Sequence, residues 1–168
     1  MNKIIIDGKE YELSAELVEK IKAEVEFQER QMAENPFARK RDDYHYIGSD
    51  GTVITTFDAG NNRSDNGRSL VGNYCRDMGL MEQRALHETL NRLLWRYSET
   101  HGGDSNPWPR GTHWFIYGDT ANGLEMKVSA NDAHKKQGTI YFKDGETAKA
   151  AIEEVVKPFM AAHPEFVW

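Results

Sequence analysis

The chain holds 168 residues, the span of one ordinary folding domain, with little room for two large independent cores. A formal net charge of −6 at pH 7 excludes general attraction to a nucleic-acid backbone as the default behaviour, although local basic patches stay open. Cys75 is the only cysteine, which excludes an intrachain disulfide and argues against a cysteine-based metal site, while 4 Trp, 7 Tyr and 7 Phe argue against disorder.

Ile4-Ile5-Ile6, Asp7-Gly8 and Tyr11 to Leu13 read as a short hairpin, because an Asp-Gly pair suits the positive φ of a tight turn. The apolar run is far too short for a signal peptide, and no stretch approaches the ~18 apolar residues of a membrane span. A cytoplasmic protein with no membrane partner is expected. Ser14 is a good helix N-cap, and Glu16 places negative charge in the first turn. Leu17, Val18, Ile21, Val25 and Met32 then recur at helical spacing as one narrow apolar stripe. Glu16–Lys20 and Glu26–Arg30 are favourable pairs four residues apart, and Asn35-Pro36 should end the helix, since proline disfavours helical geometry in the residue before it. Residues 1–36 carry nine acids against five bases. A narrow stripe on so charged a helix predicts an arm that meets a partner helix or a second copy of itself, or that docks loosely on the body.

Residues 37–43 form a linker, basic and then acidic. The body, 44–168, carries an approximate internal duplication over about 44–101 and 111–168. The first repeat runs Tyr44 to Ile47, a turn at Ser49-Asp50-Gly51, a strand over Thr52 to Phe57, a polar loop over 58–68, a glycine-interrupted strand over Leu70 to Cys75 and a helix from about Leu80 to Thr100. The second runs Trp114 to Tyr117, a turn at Asn122-Gly123, a strand over Leu124 to Val128, a polar loop over 129–137, a strand over Gly138 to Phe142 and a helix from about Gly145. Leu86, Leu90, Leu93, Leu94 and Tyr97 stripe the first helix, and Ala148, Ile152, Val155 and Phe159 the second. Pro158 predicts a break before the last turn. Alternating strands beside striped helices predict an α+β fold: two duplicated β-β-β-α units, six body strands in one antiparallel sheet or two, packed on helices.

Tyr44-x-Tyr46-Ile47-x-Ser49-Asp50-Gly51-x-Val53, then Gly72-Asn73-Tyr74 leading into a helix, resembles a pattern in small accessory proteins of phages, prophages and plasmids. Trp114 to Tyr117, Gly138-x-Ile140-Tyr141-Phe142 and the Ala-rich helix are similar to their C-terminal half, and the opening Ile-Asp-Gly-Lys-x-Tyr-x-Leu to their N-termini. The chain departs from the pattern at Cys75, where Phe is usual, and in the Trp-Pro loop 104–110. The shared motifs are turns, core aromatics and helix starts, so the resemblance implies a genetic setting more than an activity. In that setting small non-enzymatic proteins often block host defence, in the manner of anti-CRISPR inhibitors, by binding a nuclease or its guide-RNA complex.

No spacing in the sequence specifies a reaction, and no cofactor or catalytic residue is expected. His45, His87, His101, His113, His134 and His163 are scattered without metal-site spacing. A grouping of His45, His113 and Asp104, or of the two histidines with Asp43, is the one arrangement that would suit a small hydrolase or a metal, and it requires convergence in space. His101-Gly102-Gly103-Asp104 reads either as a base oriented by a carboxylate or as a helix end. Cys75 reads as a buried inert thiol.

For partner binding the expected residues are Glu16, Glu19, Glu24, Glu26 and Glu29 on the arm, with Trp108 and Arg110 in a proline-stiffened loop; the other reading of Trp108 folds it back over the core. For phosphate or nucleic-acid contact they are Arg39, Lys40 and Arg41 beside the aromatic strand, and Arg63 and Arg68 in the Gly/Asn loop.

Overall fold

The computed structural model describes residues 3–6, 9–12, 14–106, 108, 111–120, 124–132 and 134–168, with side chains for these outside 3–9, 11–12, 24 and 27–34. The fold is α+β, with small antiparallel sheets and helices. It divides into two compact units, Met1–Tyr46 with Ile54–Met78 and Ile47–Val53 with Gly79–Trp168. This division runs across the arm, linker and body segments read from the sequence.

In the first unit, β1 (Lys3–Ile6) pairs antiparallel with β2 (Lys9–Glu12), Ile5 opposite Glu10. The Asp7-Gly8 turn lies outside the described residues. Helix α1 (Ala15–Glu34) starts where Ser14 Oγ accepts the Leu17 amide at 3.3 Å and stops just before Asn35-Pro36. The Glu16–Lys20 pair forms at 2.8 Å, while the Arg30 side chain of the second expected pair lies outside the described residues. Strands β3 (Asp43–Ile47) and β4 (Val53–Phe57) pair as the expected hairpin.

Two features of the first repeat differ from expectation. The polar loop contains a helix, α2 (Arg63–Leu70), whose N-cap Asn62 accepts the Ser64 amide at 2.9 Å. Its sequence of Gly, Asn, Ser and Asp is a poor helix former, so tertiary bonds to Asp65 and Arg68, described below, override propensity. The third strand does not form. Leu70 and Val71 are 87% and 73% exposed, Gly72 has φ 70°, and only Cys75 pairs, exchanging backbone bonds with His45 at 2.6 and 3.0 Å. A single bridge thus stands where the duplication places a strand.

The second unit holds the main apolar core. Strand β5 (His113–Asp119) is central between β6 (Glu125–Asn131) and the two-residue β7 (Tyr141–Phe142), so the second repeat does make a three-stranded antiparallel sheet. Helix α3 (Met78–Thr100) contributes Leu90 and Leu94, and the C-terminal helical stretch contributes Ala148, Ala151, Val156 and Phe159, to a cluster around Phe142 and Phe166. Leu86, Leu93 and Tyr97 flank it, as the stripe predicts.

The last helix is in three pieces: α4 (Gly145–Ala151), a π-helical turn (Ile152–Val156) and α5 (Lys157–Ala162) with Pro158 in its first turn. Proline offers no N–H to the ladder, and the wider turn absorbs that loss without a sharp stop. The turn also moves the fully buried position from the expected Val155, which is half-buried, to Val156.

Phe142 is fully buried at the meeting point of sheet and helices. Phe142→Ala should lower unfolding free energy by about 3–5 kcal/mol, the range for removing a buried aromatic ring. Guanidinium denaturation measures this, and a loss under about 1 kcal/mol would mean that the cluster is not the stabilising core.

Candidate functional site

Three places bring sequence-predicted residues together, two in the first unit and one in the second. On α1, Leu17, Ile21 and Val25 stand four residues apart, on one face, and are 45%, 39% and 48% exposed. Glu16, Glu19 and Glu26 are exposed on the same helix; the Glu24 and Glu29 side chains lie outside the described residues. Lys20 and Lys22 are occupied by Glu16 and Glu19 at 2.8 and 3.0 Å, so the cations of this stretch are already paired with its acids. Such exposed pairs add little stability.

The second place is a polar network that organises the basic residues. Arg39 forks onto Asp58 through Nε and Nη2 at 2.7 and 2.6 Å, and its third nitrogen donates to Asn66 Oδ1. Asp58 is buried and also accepts the Gly60 amide at 2.7 Å. The Arg39 hydrogen bond holds its carboxyl below the usual aspartate range, against the opposing effect of burial. Tyr44, fully buried, donates to buried Asp65 at 2.7 Å and accepts from Arg68 at 2.6 Å. Burial, then the bond to Asp65, pushes the Tyr44 hydroxyl up to about 12. Its ring stacks on Tyr74 at 4.2 Å, and the Arg68 guanidinium lies 3.7 Å over Tyr46. Arg39 and Arg68 are therefore tied to buried carboxylates and rings. Lys40 is half-buried, its amide near the Tyr74 hydroxyl at 3.3 Å, and Arg41 and Arg63 are exposed.

The third place lies at the end of α3. Gly103 donates to the Ser98 carbonyl at 2.9 Å and Gly102 to that of Glu99 at 3.4 Å, with φ of 58° and 101°. This is a Schellman ending, and it requires residues without a side chain at both positive φ values. His101 closes the same end, its Nδ1 2.8 Å from the Tyr97 carbonyl and its ring stacked on Tyr97. The helix-end reading of this tetrapeptide therefore describes His101, and the ending delivers Asp104 to a different histidine. Asp104 Oδ2 lies 2.8 Å from His113 Nδ1.

His113 is fully buried at the head of β5, and Trp108 folds back onto it with rings 3.5 Å apart and 9° from parallel. Tyr141 meets the Trp108 ring edge-on at 5.3 Å, and its carbonyl accepts Ser98 Oγ at 2.6 Å. Asp104 Oδ1 and His113 Nε2 are buried without a hydrogen-bond partner.

His113 and Asp104 thus converge as the hydrolase grouping requires. His45 belongs to the first unit, where its ring contacts Thr55 Oγ1 at 2.9 Å. A sealed imidazole also has no route to a substrate proton. Among the described residues no three His, Cys, Asp or Glu side chains gather to hold a metal ion, and no helix is long and apolar enough to cross a membrane. Arg110 lies outside the described residues. The largest groove, about 830 Å³, has a floor including Met126, Val128 and Met160, and its rim lysines 127, 149 and 157 are paired with neighbouring acids.

Sequence reasoning missed Asp58 and Asp65, which sit in a stretch that reads as a solvated loop. Their one signal is spacing: Asp65 and Arg68 are three residues apart, as helical neighbours are. Searches against family models, curated proteins and solved structures find no match to this chain.

The Asp58 carboxylate makes stability depend on acid. Its depressed pKa contributes stability that is fully present above the ordinary aspartate value of about 4 and is lost as pH falls through the depressed value. The gap in thermal midpoint between the unaltered chain and Asp58→Asn should be constant above about pH 5 and shrink towards pH 2. A gap unchanged by acid would show that Asp58 is not held as a carboxylate by Arg39.

Proposed function

We propose that this chain is a non-enzymatic accessory protein of a phage or other mobile element that inhibits a host defence complex by binding a basic surface of a host protein or ribonucleoprotein. The observation that carries the reading is the exposed Leu17–Ile21–Val25 row on an acid-rich helix. Such a row lies in a hydrophobic groove as helix-in-groove ligands do, while the flanking glutamates select a cationic rim and steer the encounter. A second copy of α1 is a poorer occupant, because acids would face acids. The resemblance to small mobile-element proteins supplies the setting, which is the cytoplasm of a bacterial host, and inhibition of defence follows from that setting by analogy.

The nucleic-acid reading has less support from the geometry. Arg39 and Arg68 hold buried carboxylates, and Tyr44 and Tyr74 stack on one another, which leaves Lys40, Arg41 and Arg63 as the contact set.

The test uses bacteria that carry a guide-RNA-directed nuclease and are challenged with a targeted phage. Producing the protein should raise plating efficiency, and Leu17→Asp with Ile21→Asp should abolish the rise while far-UV circular dichroism is unchanged. Plating that stays at the control level across a panel of such nucleases would overturn the inhibitor reading. Protection that survives the double substitution would remove α1 from it.

A further inference from the structure

The fold-back of Trp108 creates more than a cover for His113. Trp108 and Tyr141, together with exposed Trp95 of α3, line a cavity of about 270 Å³ in the second unit. Its charged lining is Glu99, Asp104 and Lys135, two carboxylates against one exposed ammonium. One face of Trp108 is taken by His113, whose Nδ1 holds Asp104 through Oδ2. The other carboxylate oxygen, Oδ1, is buried with no donor. A buried acceptor left unsatisfied is costly, and a donor arriving from outside would relieve that cost.

We infer that this cavity binds a guanidinium group. The head group is planar, so it can lie against indole and phenol rings, and it is weakly hydrated, so little is lost on entering an aromatic slot. Its forked N–H groups can serve the orphan Asp104 oxygen while its charge is balanced by Asp104 and Glu99. A quaternary ammonium would suit the rings but has no N–H for that oxygen, and an anion would face two carboxylates. The volume suits one side chain better than a drug-sized molecule. The Schellman ending fixes both carboxylates, since Glu99 lies in the last turn of α3 and Gly103 approaches its carboxylate closely. This site is separate from the α1 face and does not rest on the inhibitor reading.

Nitrogen-15 correlation spectra of the full chain would follow the indole N–H signals of Trp95 and Trp108 during titration. The probes are N-acetylarginine methylamide, the matching citrulline derivative, which is a neutral isostere, and a neutral peptide carrying one arginine. Both indole signals should shift saturably with the arginine derivative and stay in place with the citrulline one. Asp104→Asn should weaken binding about tenfold, the equivalent of one charge-assisted hydrogen bond. Because that substitution touches His113, Glu99→Gln serves as a second variant, and it should also weaken binding while the rest of the spectrum is unchanged. Tighter binding of the peptide would identify a macromolecular side chain as the source of the guanidinium; binding of the free derivative alone would identify a small molecule. Equal shifts with citrulline, or shifts that never saturate with arginine, would overturn the assignment.

Discussion

The second unit depends on the burial of one strand only two residues long. Phe142 pairs with Trp114 across the sheet edge and sits in the same apolar cluster as Leu90 and Leu94 of α3 and Ala148, Ala151 and Val156 of the last helix. Neither a three-stranded sheet nor a single helix buries enough apolar surface alone, so the helices and the sheet stabilise one another through this cluster. The adjacent residue, Tyr141, extends the same strand into polar territory by accepting from Ser98 through its carbonyl and presenting its ring to Trp108. Core and candidate pocket are thus neighbours along two residues of one chain.

The first unit is organised differently. Its fully buried side chains include Tyr44, Tyr74, Asp58 and Asp65, and the carboxylates are held by hydrogen bonds to tyrosine, arginine and backbone amides. A charge removed from water is tolerated only when paired and hydrogen-bonded, and such networks fix geometry more than they add stability. This explains why a helix as poor in propensity as α2 exists. Asp65 and Arg68 are required one turn apart to meet Tyr44, and the backbone follows.

These two kinds of organisation account for what the sequence made legible. The α+β class, the α1 cap at Ser14, the stripe of α3, the hairpin at Asp50-Gly51 and the start of α4 at Asp144 all follow from local rules with large apolar or capping signals. The duplication was readable as an order of elements, but only the second repeat completes its sheet. In the first, Leu70 and Val71 look like strand residues yet face solvent, because what decides their conformation is the distant Asp65–Tyr44 bond and the positive φ of Gly72. The pairing of His113 with Asp104 was conceivable from composition alone. Its isolation from His45, and the stacking of Trp108, are tertiary facts with no local pattern.

The π turn at Ile152–Val156 gives the C-terminal helix an adjustable phase. A residue removed from it would return the ladder to α geometry and rotate everything downstream by about 100° relative to α4. Phe159, now against Phe166 and the core, would swing towards solvent, and the chain end that Gln83 clasps through Glu165 and Val167 would lose its register. Sequences of this kind should therefore tolerate substitution within the turn far better than a change in its length, and the spacing between Ala151 and Pro158 becomes a more telling mark of shared architecture than the identity of any residue between them.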